Sequence, residues 1–335
     1  SSETPDEVAM SSVLLDEVEN LTFNGFCKRF RLNDFNTLLP EYARYLFRDI
    51  SFRREVYQLA TGDIRFNISQ ESLANIEIEI PDTTTQKEIA QILSSLDDKI
   101  ELNLQMNQTL EAMAQAIFKE WFVNFNFPGF DGELVDGLPK GWRWGKLGEI
   151  IDVKGGATPS TSVVEYWNGE YYWSTPKDLS SAHSPVLINT ERKITYLGVK
   201  QISSGVLPKG TLLLSSRAPI GYLAISQVPI SINQGYIAIQ GKAVSNLFML
   251  FWLKENMEAV KSKANGSTFQ EISKSNFKLI DISIPSVDVL QRFDETIEPI
   301  FNKIVENVYN NQSLTQTRDT LLPKLMSGKM RLNCD

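Results

Sequence analysis

The residues in this sequence with the clearest chemical potential are cations and hydrogen-bond donors placed at glycine-rich turns. One turn joins a cation to backbone and hydroxyl donors, through Lys154, Gly155, Gly156, Thr158, Ser160 and Thr161. This combination suits a phosphate group, because backbone N–H groups in a turn can surround an anion. An ordinary glycine turn flanked by solvated lysines would use the same residues.

A second group carries side chains that can bond the edges of nucleotide bases. Arg217 lies in the segment SSRAPIG, where Pro219 and Gly221 would fix its loop. Arginine can bond both acceptors of guanine, and asparagine or glutamine can bond adenine in the same bidentate way. The amide candidates are Asn233 with Gln234, and Gln270 beside Gly266. For each, a structural hydrogen bond within a loop is the alternative.

Further candidates share a polar or cationic side chain near these turns or near the start of the sequence. They are Lys177, Arg192, Lys193, Ser216, Tyr222, Lys261, Lys263 and Ser267, and then Lys28, Arg29, Arg31 and Arg65. Six aromatic residues could stack on bases, but their turn-rich spacing favours a place in the core. These are Trp142, Trp144, Trp167, Tyr171, Tyr172 and Trp173.

Several kinds of chemistry lack the residues they need. His183 is the only histidine, so histidine-rich metal centres are excluded, and its setting in SSAHSP favours a plain loop residue. Cys27 and Cys334 are too few for a disulfide framework, which suits a reducing cytoplasm. The apolar runs are too short to span a membrane, and the acidic first ten residues do not resemble a signal peptide. We expect neither a metal site nor a membrane anchor.

Positive charge is segregated along the chain. The net charge over all 335 residues is -8, yet residues 126–285 alone carry a net charge of +3. Residues 1–81, 82–125 and 286–335 are acidic, with net charges of -6, -4 and -1. The middle block is therefore the one whose charge favours a polyanion.

The sequence repeats itself after 204 residues. This shift aligns residues 61–81 with residues 265–285 at seven identical positions out of 21. The shared isoleucines recur at every second position, as Ile76, Ile78 and Ile80 and then as Ile280, Ile282 and Ile284. That spacing predicts a half-buried strand in both copies.

The repeat continues into a segment with helical spacing. Residues 86–121 fit a heptad pattern that predicts one long helix, and the same pattern recurs 204 residues later. Pro299 and Pro323 are found only in the second copy, where they predict a kink or a late start. The residues expected to pair the two helices are Leu96, Ile100, Asn103, Asn107 and Leu110, with Ile300, Ile304, Asn307, Asn311 and Leu314.

The asparagines of this seam bear on the orientation of the helices. Asn103 and Asn107 recur as Asn307 and Asn311, near the middle of each helix, and buried polar residues can fix the register of a helix pair. Parallel and antiparallel pairing both align the two polar layers. A compact domain between the helices favours the antiparallel pair. The alternative is that Asn103 and Asn107 face solvent.

The sequence pattern of residues 127–285 is typical of a mixed, mainly β domain. Short strands are predicted over 211–215, 222–226 and 236–240, and an amphipathic helix is predicted over 246–263. In the first copy a helix over 40–59 holds the corresponding place. The stretch from Gly141 to about Val206 has no partner in the first copy.

At this point the sequence resembles the DNA specificity subunits of type I restriction-modification systems. The most specific segments are LPKGWRWGKLGEI, GGATPS, YWNGEYYWSTPKDL, LPKGTLLLSSRAPIGYLAI, SINQGYIAI, GSTFQEIS and IPS. The resemblance covers essentially the entire chain. Because SSETPDEVAM looks like the counterpart of SSRAPIGYLA, Ser1 would fall about midway through a first recognition domain.

The resemblance implies an α+β fold with two target recognition domains, the first incomplete, joined by two long antiparallel spacer helices. The implied boundaries are residues 1–81, 82–125, 126–285 and 286–335. Each recognition domain would read half of a bipartite site in double-stranded DNA. The chain would bind no cofactor; methyltransferase and restriction subunits would bring S-adenosylmethionine, ATP and Mg²⁺.

Two other classes of function compete with this interpretation. A fused methyltransferase or nuclease would need a cofactor loop and an Asn-Pro-Pro-aromatic segment, and the sequence shows neither. Cleavage by a carboxylate pair on Mg²⁺ remains open, although no spacing of acidic residues indicates it. A helical scaffold without DNA binding fits the heptads but leaves the basic middle block unexplained.

Overall fold

The structure is a computed structural model, and it describes residues 7–62, 66–180, 182–217, 219–266 and 270–330. The chain forms two compact units, and its named strands all lie in the second. Unit 1 comprises Ser1–Glu101 with Asn311–Asp335, and unit 2 comprises Leu102–Asn310. Among the described residues, we find no helix with the length and apolar character needed to cross a membrane.

Unit 1 begins with short helices whose ends are set by local caps. They are α1 (Pro40–Leu46), α2 (Ile50–Leu59), α3 (Gln70–Ala74) and the first part of α4 (Thr83–Phe122). The single helix predicted over 40–59 is wrong. Asp49 has extended backbone angles and its carboxylate accepts the N–H of Ser51, so a new helix begins there.

Two polar side chains, Gln86 and the partly buried Asp97, tie the helices of unit 1 together. Gln86 is fully buried; its Oε1 accepts the Leu39 N–H at 2.9 Å, and its Nε2 donates to the carbonyls of Thr37 and Pro81. Asp97 accepts the hydroxyl of Tyr45 at 2.8 Å. Burial, reinforced by that bond, raises the pKa of Tyr45 well above its ordinary value.

Unit 2 contains the strands. In chain order its elements are β1 (Leu134–Val135), β2 (Leu138–Pro139), β3 (Arg143–Lys146), α5 (Leu147–Ile150), β4 (Ile151–Gly155), β5 (Trp167–Ser174), α6 (Pro176–Ser180), β6 (Val186–Leu187), β7 (Arg192–Ile194), α7 (Tyr196–Val199), β8 (Leu212–Ser216), β9 (Ile220–Ser226), β10 (Ile230–Ile232), β11 (Tyr236–Gly241), α8 (Asn246–Glu255), α9 (Met257–Ser262), α10 (Lys274–Lys278) and β12 (Asp281–Ile284). The helix α11 (Val287–Met326) begins in unit 2 and ends in unit 1. The three strands predicted near 211–215, 222–226 and 236–240 are confirmed as β8, β9 and β11.

The main sheet has five strands in the order β4-β11-β8-β9-β6. The pairs β4–β11, β11–β8 and β8–β9 are antiparallel, and β6 is parallel to β9. A three-stranded sheet has the order β10-β5-β7, and β3 pairs with β12 in a separate antiparallel ladder.

Both faces of the central strand β8 are buried, which explains its continuous apolar run. Leu212 and Leu214 face a core shared with α4, α8 and α11, whereas Leu213 belongs to a second cluster with Ile230 and Ile232 of β10. A strand covered on both faces shows no alternation of apolar and polar residues.

The amphipathic helix predicted over 246–263 is wrong in two respects. It is two helices, because Asn256 leaves helical geometry and its amide donates to the Trp252 carbonyl at 2.9 Å. The first of them, α8, is also not amphipathic, since residues 248–253 are all buried. Its packing partners include Phe118 of α4 and Phe293 of α11.

In unit 2, α4 and α11 pack antiparallel about a buried pair of asparagines. The Nδ2 of Asn307 donates to the Oδ1 of Asn107 at 2.8 Å, and both side chains are 1% exposed. Further along α4, Trp121 contacts Phe293. Residue numbers therefore rise along α4 while those of its contacts in α11 fall, as in an antiparallel pair. Asn103, also 1% exposed, does not face solvent.

The same orientation is found within unit 1. The Nδ2 of Asn311 donates to the Ile100 carbonyl at 3.2 Å, and Arg318 bonds Asp97 at 2.7 Å. Leu93 and Leu325 belong to one buried cluster there. The remaining predicted pairing residues lie along these seams: Ile304 is buried, and Leu96, Leu110, Ile300 and Leu314 are partly buried.

The 204-residue repeat is reproduced in the element boundaries. The helices α4 and α11 each have 40 residues and begin 204 residues apart, as do α3 and α10. Isolated bridges recur at the same spacing, Thr61 with Asn67 and Asn265 with Glu271. The late start expected for the second helix is therefore wrong, since Pro299 lies inside α11.

One part of the predicted repeat is not reproduced. Residues 281–284 form β12 as predicted, but residues 76–80 are not a strand. In unit 2 the partner of β12 is β3. Among the described residues no strand pairs with residues 76–80, so their alternating isoleucines are not part of a ladder.

We predict that the asparagine pair can be dissected by mutation. Asn307→Ala should lower the free energy of unfolding by about 1–3 kcal/mol, because it leaves a buried carbonyl of Asn107 without its donor. Replacing both residues by leucine should cost less than the sum of the single changes. Chemical denaturation measures this cycle, with exposed Asn310→Ala as the control. Strict additivity would contradict the coupling.

The second prediction concerns pH. Asp294 of α11 accepts the hydroxyl of Ser245, the N-cap of α8, at 2.5 Å, and burial raises the pKa of its carboxyl. Because the folded-state pKa is raised, the stabilising contribution is fully present below pH 3.8 and is lost as pH rises through the folded pKa. Asp294→Asn should therefore gain stability relative to the unmodified chain as pH rises from about 4 to 7.

Denaturation midpoints measured across that pH range check this prediction. Exposed Asp288, near the start of the same helix, supplies the control, and Asp288→Asn should show no such gain. A difference between Asp294→Asn and the unmodified chain that stays constant with pH would contradict it.

Candidate nucleic-acid interface

Several of the predicted contact residues meet at one end of the main sheet. The strands β4 and β8 end at Gly155 and Ser216, whereas β9 and β11 begin at Ile220 and Tyr236. Because these neighbours are antiparallel, all four termini lie at the same edge. The loops that leave this edge carry the turn residues singled out in the sequence.

The glycine turn and the Asn233-Gln234 segment are in direct contact, although they are 76 residues apart. The Thr158 hydroxyl donates to Gln234 Oε1 at 2.7 Å, and the Ala157 N–H donates to the Ile232 carbonyl at 3.0 Å. A Cβ atom on Gly156 would lie 1.8 Å from that carbonyl oxygen. Only glycine permits this approach, so Gly156 has a structural role in the loop.

Asn233 is held within its own loop. Its Oδ1 accepts the Gly235 N–H at 2.9 Å, and its N–H donates to the Ser174 carbonyl at 3.0 Å. These bonds leave Gln234, which is exposed, as the residue of this segment that points outward. The carbonyl of Gly235 accepts the Ser216 N–H, which links this loop to the end of β8.

The loop that carries Arg217 is fixed by a buried hydroxyl that the sequence did not reveal. Ser215 is fully buried; its Oγ accepts the N–H groups of Gly221 and Tyr222 and donates to the Pro219 carbonyl at 2.8 Å. Gly221 has a φ of +121°, which a residue with a side chain rarely adopts. The loop therefore presents Arg217 from a defined backbone.

Arg217 stands next to the 265–272 segment. Its backbone forms a bridge with Glu271, and its guanidinium lies 3.9 Å from the Glu271 carboxylate. Ser216 is buried, and its carbonyl accepts the Ile272 N–H. Arg217 is partly exposed, so the ion pair leaves the guanidinium within reach of a ligand.

Lys274 is a second residue that sequence reasoning missed. Its Nζ lies 3.1 Å from the position that a Cβ on Gly155, at the end of β4, would occupy. Lys274 directly follows Ser273, the N-cap residue of α10, within the repeated segment. Its place in that segment is the feature of the sequence from which it could have been selected. Gly266 and Gln270 are exposed in the same segment.

The three-stranded sheet brings a further cation to this edge. Pro176, at the start of α6, lies against Gly235, and the next residue, Lys177, forms an exposed ion pair with Glu191 at 2.9 Å. The bond to Glu191 raises the pKa of Lys177 above its ordinary value. The backbone N–H of Glu191 donates to Asp178, which ties β7 to α6.

Arg192 and Lys193 lie over aromatic rings of β5. The Arg192 guanidinium is 3.5 Å from the centre of the Trp167 ring, and Lys193 Nζ is 4.5 Å from the centre of Tyr172. Trp142, Trp167 and Trp173 are buried, as their core assignment predicted. The core assignment is wrong for Trp144 and Tyr171, which are exposed. Trp144 lies on the two-stranded ladder, where one face remains open to solvent.

Other predicted residues lie elsewhere in unit 2. Ser160 bonds Ser162, and Thr161 is exposed beside it. Lys261 pairs with Glu258 on α9, and Lys263 follows the end of that helix. Tyr222 borders an open cleft of about 470 Å³ together with His183, which is an exposed loop residue as predicted.

In unit 1 the predicted contact residues are not drawn into a comparable group. Lys28, Arg29 and Arg31 are exposed on an irregular segment. Arg65 and Ser267 lie outside the described residues. Among the residues that are described, no cluster of histidine, cysteine, aspartate and glutamate has the arrangement of a metal site.

The edge of the main sheet therefore combines four exposed or partly exposed cations with hydroxyl and amide groups. The cations are Lys154, Lys177, Arg217 and Lys274. Lysines can neutralise phosphates, whereas Arg217 and Gln234 have the donor and acceptor geometry to bond base edges. This arrangement can bind a polyanion and distinguish among its bases.

Comparisons with known proteins point in the same direction. Residues 7–112 and 139–314 match a family model described as the type I restriction modification DNA specificity domain. The type I restriction enzyme MjaIX specificity subunit of Methanocaldococcus jannaschii is 41% identical over 173 residues, which are 51% of this chain and 40% of that protein. The chain thus spans well under two thirds of that relative.

Two further likenesses cover more of the chain. The HindI specificity subunit of Haemophilus influenzae is 27% identical over 364 residues, with 88% of this chain and 78% of that protein covered. The crystal structure of the S subunit from M. genitalium gives a TM-score of 0.54 at 19% identity and covers 88% of this chain and 74% of its own. That structural match shows a similar mixed helix and sheet fold.

We predict that Ser215 determines the conformation of the Arg217 loop. Ser215→Ala removes one donor and one acceptor that serve three backbone groups of the loop, so the free energy of unfolding should fall by about 2–3 kcal/mol. Amide hydrogen exchange at residues 220–222 should also become faster. Ser204→Ala is the matched control, because the Ser204 hydroxyl is buried without a partner in the part of the chain that the structure describes. Equal losses in both variants would contradict the role of Ser215.

Proposed function

We propose that this chain, which belongs to the family of type I restriction-modification DNA specificity domains, is a non-catalytic subunit that recognises a bipartite DNA sequence. The proposal rests on one observation above all. Loops from distant parts of unit 2 converge at one sheet edge and present cations beside the side chains that we propose to contact bases.

The chemistry of this edge explains how it would bind DNA. Lys154 and Lys274 would neutralise phosphates, which supplies affinity without sequence information. Arg217 would bond guanine in the major groove, and Gln234 is the best-placed residue for adenine. Because Ser215 and Gly156 fix the loops, these side chains would lose little conformational freedom on binding.

The repeat suggests a second recognition region and a means of spacing. We propose two recognition domains, residues 1–81 and 126–285, which alternate with spacer helices in residues 82–125 and 286–335. The antiparallel helices would set the number of base pairs between the two half-sites.

Partners would supply the catalysis. We propose that the acidic helices dock methyltransferase subunits, which bring S-adenosylmethionine, and that restriction subunits bring ATP-driven activity with Mg²⁺. This chain would bind none of these cofactors. Its two cysteines suit the reducing cytoplasm in which such a complex would meet DNA.

The first test of this function is biological. The chain, co-expressed with a type I methyltransferase subunit in a host that lacks such systems, should direct adenine methylation to a discontinuous motif. Genome-wide mapping of modified adenines reads out the motif. No complex with the methyltransferase, or modification at a continuous motif, would contradict the proposal.

With the motif known, Arg217→Ala should weaken binding to the cognate duplex by about 1–3 kcal/mol and leave binding to a random duplex nearly unchanged. Lys274→Ala should weaken both equally and lower the salt dependence by about one phosphate contact. Fluorescence anisotropy titrations at several salt concentrations measure these effects on the complex with the methyltransferase.

Two controls sharpen this experiment. Lys209 is exposed at the turn before β8, so it lies at the opposite edge of the sheet, and Lys209→Ala should change neither affinity. Glu271→Gln removes the carboxylate beside Arg217 and should raise affinity for both duplexes. Equal loss on cognate and random DNA in Arg217→Ala would refute base reading, and no DNA affinity even at low salt would favour a scaffold.

A further inference from the structure

The guanidinium of Arg192, at the start of β7, lies flat on a buried indole. Its Cζ atom is 3.5 Å from the centre of the Trp167 ring, and Trp167 is 6% exposed. At that distance the two planes must be nearly parallel, because an edge-on guanidinium would push a nitrogen inside the contact distance of the ring. The backbone is held as well, since the Arg192 carbonyl accepts the Thr190 hydroxyl at 2.7 Å. Arg192 therefore presents its N–H donors in a fixed plane.

The indoles of β5 also hold the glycine turn. The Trp167 Nε1–H donates to the Ser160 carbonyl at 3.0 Å, and the Trp173 Nε1–H donates to the Ala157 carbonyl at 3.1 Å. Ser160 and Ser162 are exposed, and their hydroxyl oxygens lie 2.8 Å apart. Because only one of these hydroxyls donates in that bond, the other keeps its proton for a further bond. Trp167 thus joins a fixed guanidinium to a turn that carries a hydroxyl donor.

We propose that Arg192 and the hydroxyls of Ser160 and Ser162 form a binding site for one phosphate group of DNA, with Trp167 as its platform. This inference rests on the proposed function, because the phosphate would belong to a bound duplex. The guanidinium would bond two phosphate oxygens side by side, and a serine hydroxyl would donate to a phosphate oxygen as well. The sequence pattern offers Lys154 as the cation of this turn, whereas the structure brings Arg192 to it from β7.

The electrostatic setting of Arg192 differs from that of the other cations at this end of the sheets. Arg217 and Lys177 lie 3.9 Å and 2.9 Å from carboxylates. Within the part of the chain that the structure describes, Arg192 forms no ion pair, and its contacts are the rings of Trp167 and Trp173. A phosphate would therefore meet no internal competitor for this guanidinium. Because stacking already restricts the side chain, little conformational freedom would be lost on binding.

The neighbouring hydroxyls favour a phosphate over a base edge. In the major groove guanine offers two acceptors, O6 and N7, and the arginine fork alone would use both. The oxygens of a phosphate can accept from the fork and from a hydroxyl at the same time. The combination of Arg192 with Ser160 and Ser162 therefore matches a phosphate more completely than a guanine.

The site would set the register of DNA against the loops that contact bases. Thr158, two residues before Ser160, donates its hydroxyl to Gln234, so the phosphate site and a proposed base contact share one turn. A phosphate contact carries no sequence information, but it fixes the position of the duplex on the protein. We therefore expect loss of Arg192 to lower affinity without changing which bases are preferred.

Neutral substitution of the DNA backbone identifies the phosphate. A single methylphosphonate is placed at each position of the cognate duplex in turn, and binding to the complex with the methyltransferase is measured by fluorescence anisotropy. At one position the methylphosphonate should weaken binding of the unmodified chain about tenfold or more, and it should have little further effect on Arg192→Ala. Arg192→Ala should itself weaken cognate and random duplexes equally and lower the salt dependence by about one phosphate contact.

Two further variants separate the planar fork from its charge and its location. Arg192→Lys keeps the charge but not the fork, so it should keep the salt dependence and recover only part of the affinity. Lys200 also lies over a ring, with its Nζ 4.7 Å from the centre of Tyr196, but it follows α7, which begins beyond the far end of β7. Lys200→Ala should change neither the affinity nor the methylphosphonate profile.

Two results on DNA would overturn the proposal. One is the absence of any backbone position at which the effect of methylphosphonate depends on Arg192. The other is a relaxed base preference in Arg192→Ala, which would assign the guanidinium to a base edge.

A measurement without DNA tests the site separately from the proposed function. In the full chain with ¹⁵N-labelled tryptophan, inorganic phosphate at constant ionic strength should shift the signal of the Trp167 indole N–H, and the shift should be absent from Arg192→Ala. If the unmodified complex has no affinity for DNA, the proposed function fails and this titration decides on the site. An unchanged Trp167 signal would then overturn the phosphate site as well.

Discussion

The hydrogen bond between Asn107 and Asn307 fixes the register on which unit 2 depends. A helix pair held only by leucine and isoleucine can slide by a turn at modest cost, but a buried amide pair loses its partner when it slides. With that register set, Phe118 and Phe122 of α4 meet Phe293 of α11 and Phe248 of α8. The recognition loops are therefore built on a sheet whose core is continuous with the helix pair.

The two copies of the repeat share the boundaries of α3 with α10 and of α4 with α11, while their side chains diverge. Ala114 of α4 is buried in the aromatic core of unit 2, whereas its counterpart Arg318 pairs with Asp97 in unit 1. Arg44 and Tyr45 complete that polar cluster. A partly buried charge needs a partner, and in unit 1 the Asp97 carboxylate and its further donors supply it for Arg318. Capping residues and apolar periodicity thus set the boundaries of the helices. The neighbouring side chains in each unit determine whether a given position is apolar or charged.

The sequence was most informative where structure follows from local pattern. Heptad spacing located α4 to within three residues at its start and one at its end, and the short apolar runs located β8, β9 and β11. Prediction failed where a single side chain or a distant partner decides the outcome. Asp49 begins a helix and Asn256 ends one, each through a hydrogen bond that the apolar periodicity does not reveal. Residues 76–80 have strand periodicity, but no described strand pairs with them.

In the candidate site, too, local sequence patterns could be recognised, whereas contacts between distant segments could not. Glycines and amides at Gly156, Gln234 and Gly266 could be selected from the sequence, because turn residues with polar side chains have a limited set of uses. The sequence did not reveal that Thr158 contacts Gln234, nor that Ser215 and Lys274 belong to the same edge. Those facts depend on strand order, and an antiparallel order of β4, β11, β8 and β9 is not encoded in any one of the strands.

The electrostatics of this edge explain how an acidic protein can act on a polyanion. Arg217 and Lys177 are each held near a carboxylate, Glu271 and Glu191, and both pairs are exposed. Exposed ion pairs contribute little stability, so a phosphate or a guanine edge can replace the carboxylate at small cost. The same carboxylates repel the phosphate backbone of DNA, and on a non-specific sequence no base contact offsets this repulsion. In the proposed role, the acidic partners reduce non-specific binding more than specific binding, and discrimination is a difference between those two free energies.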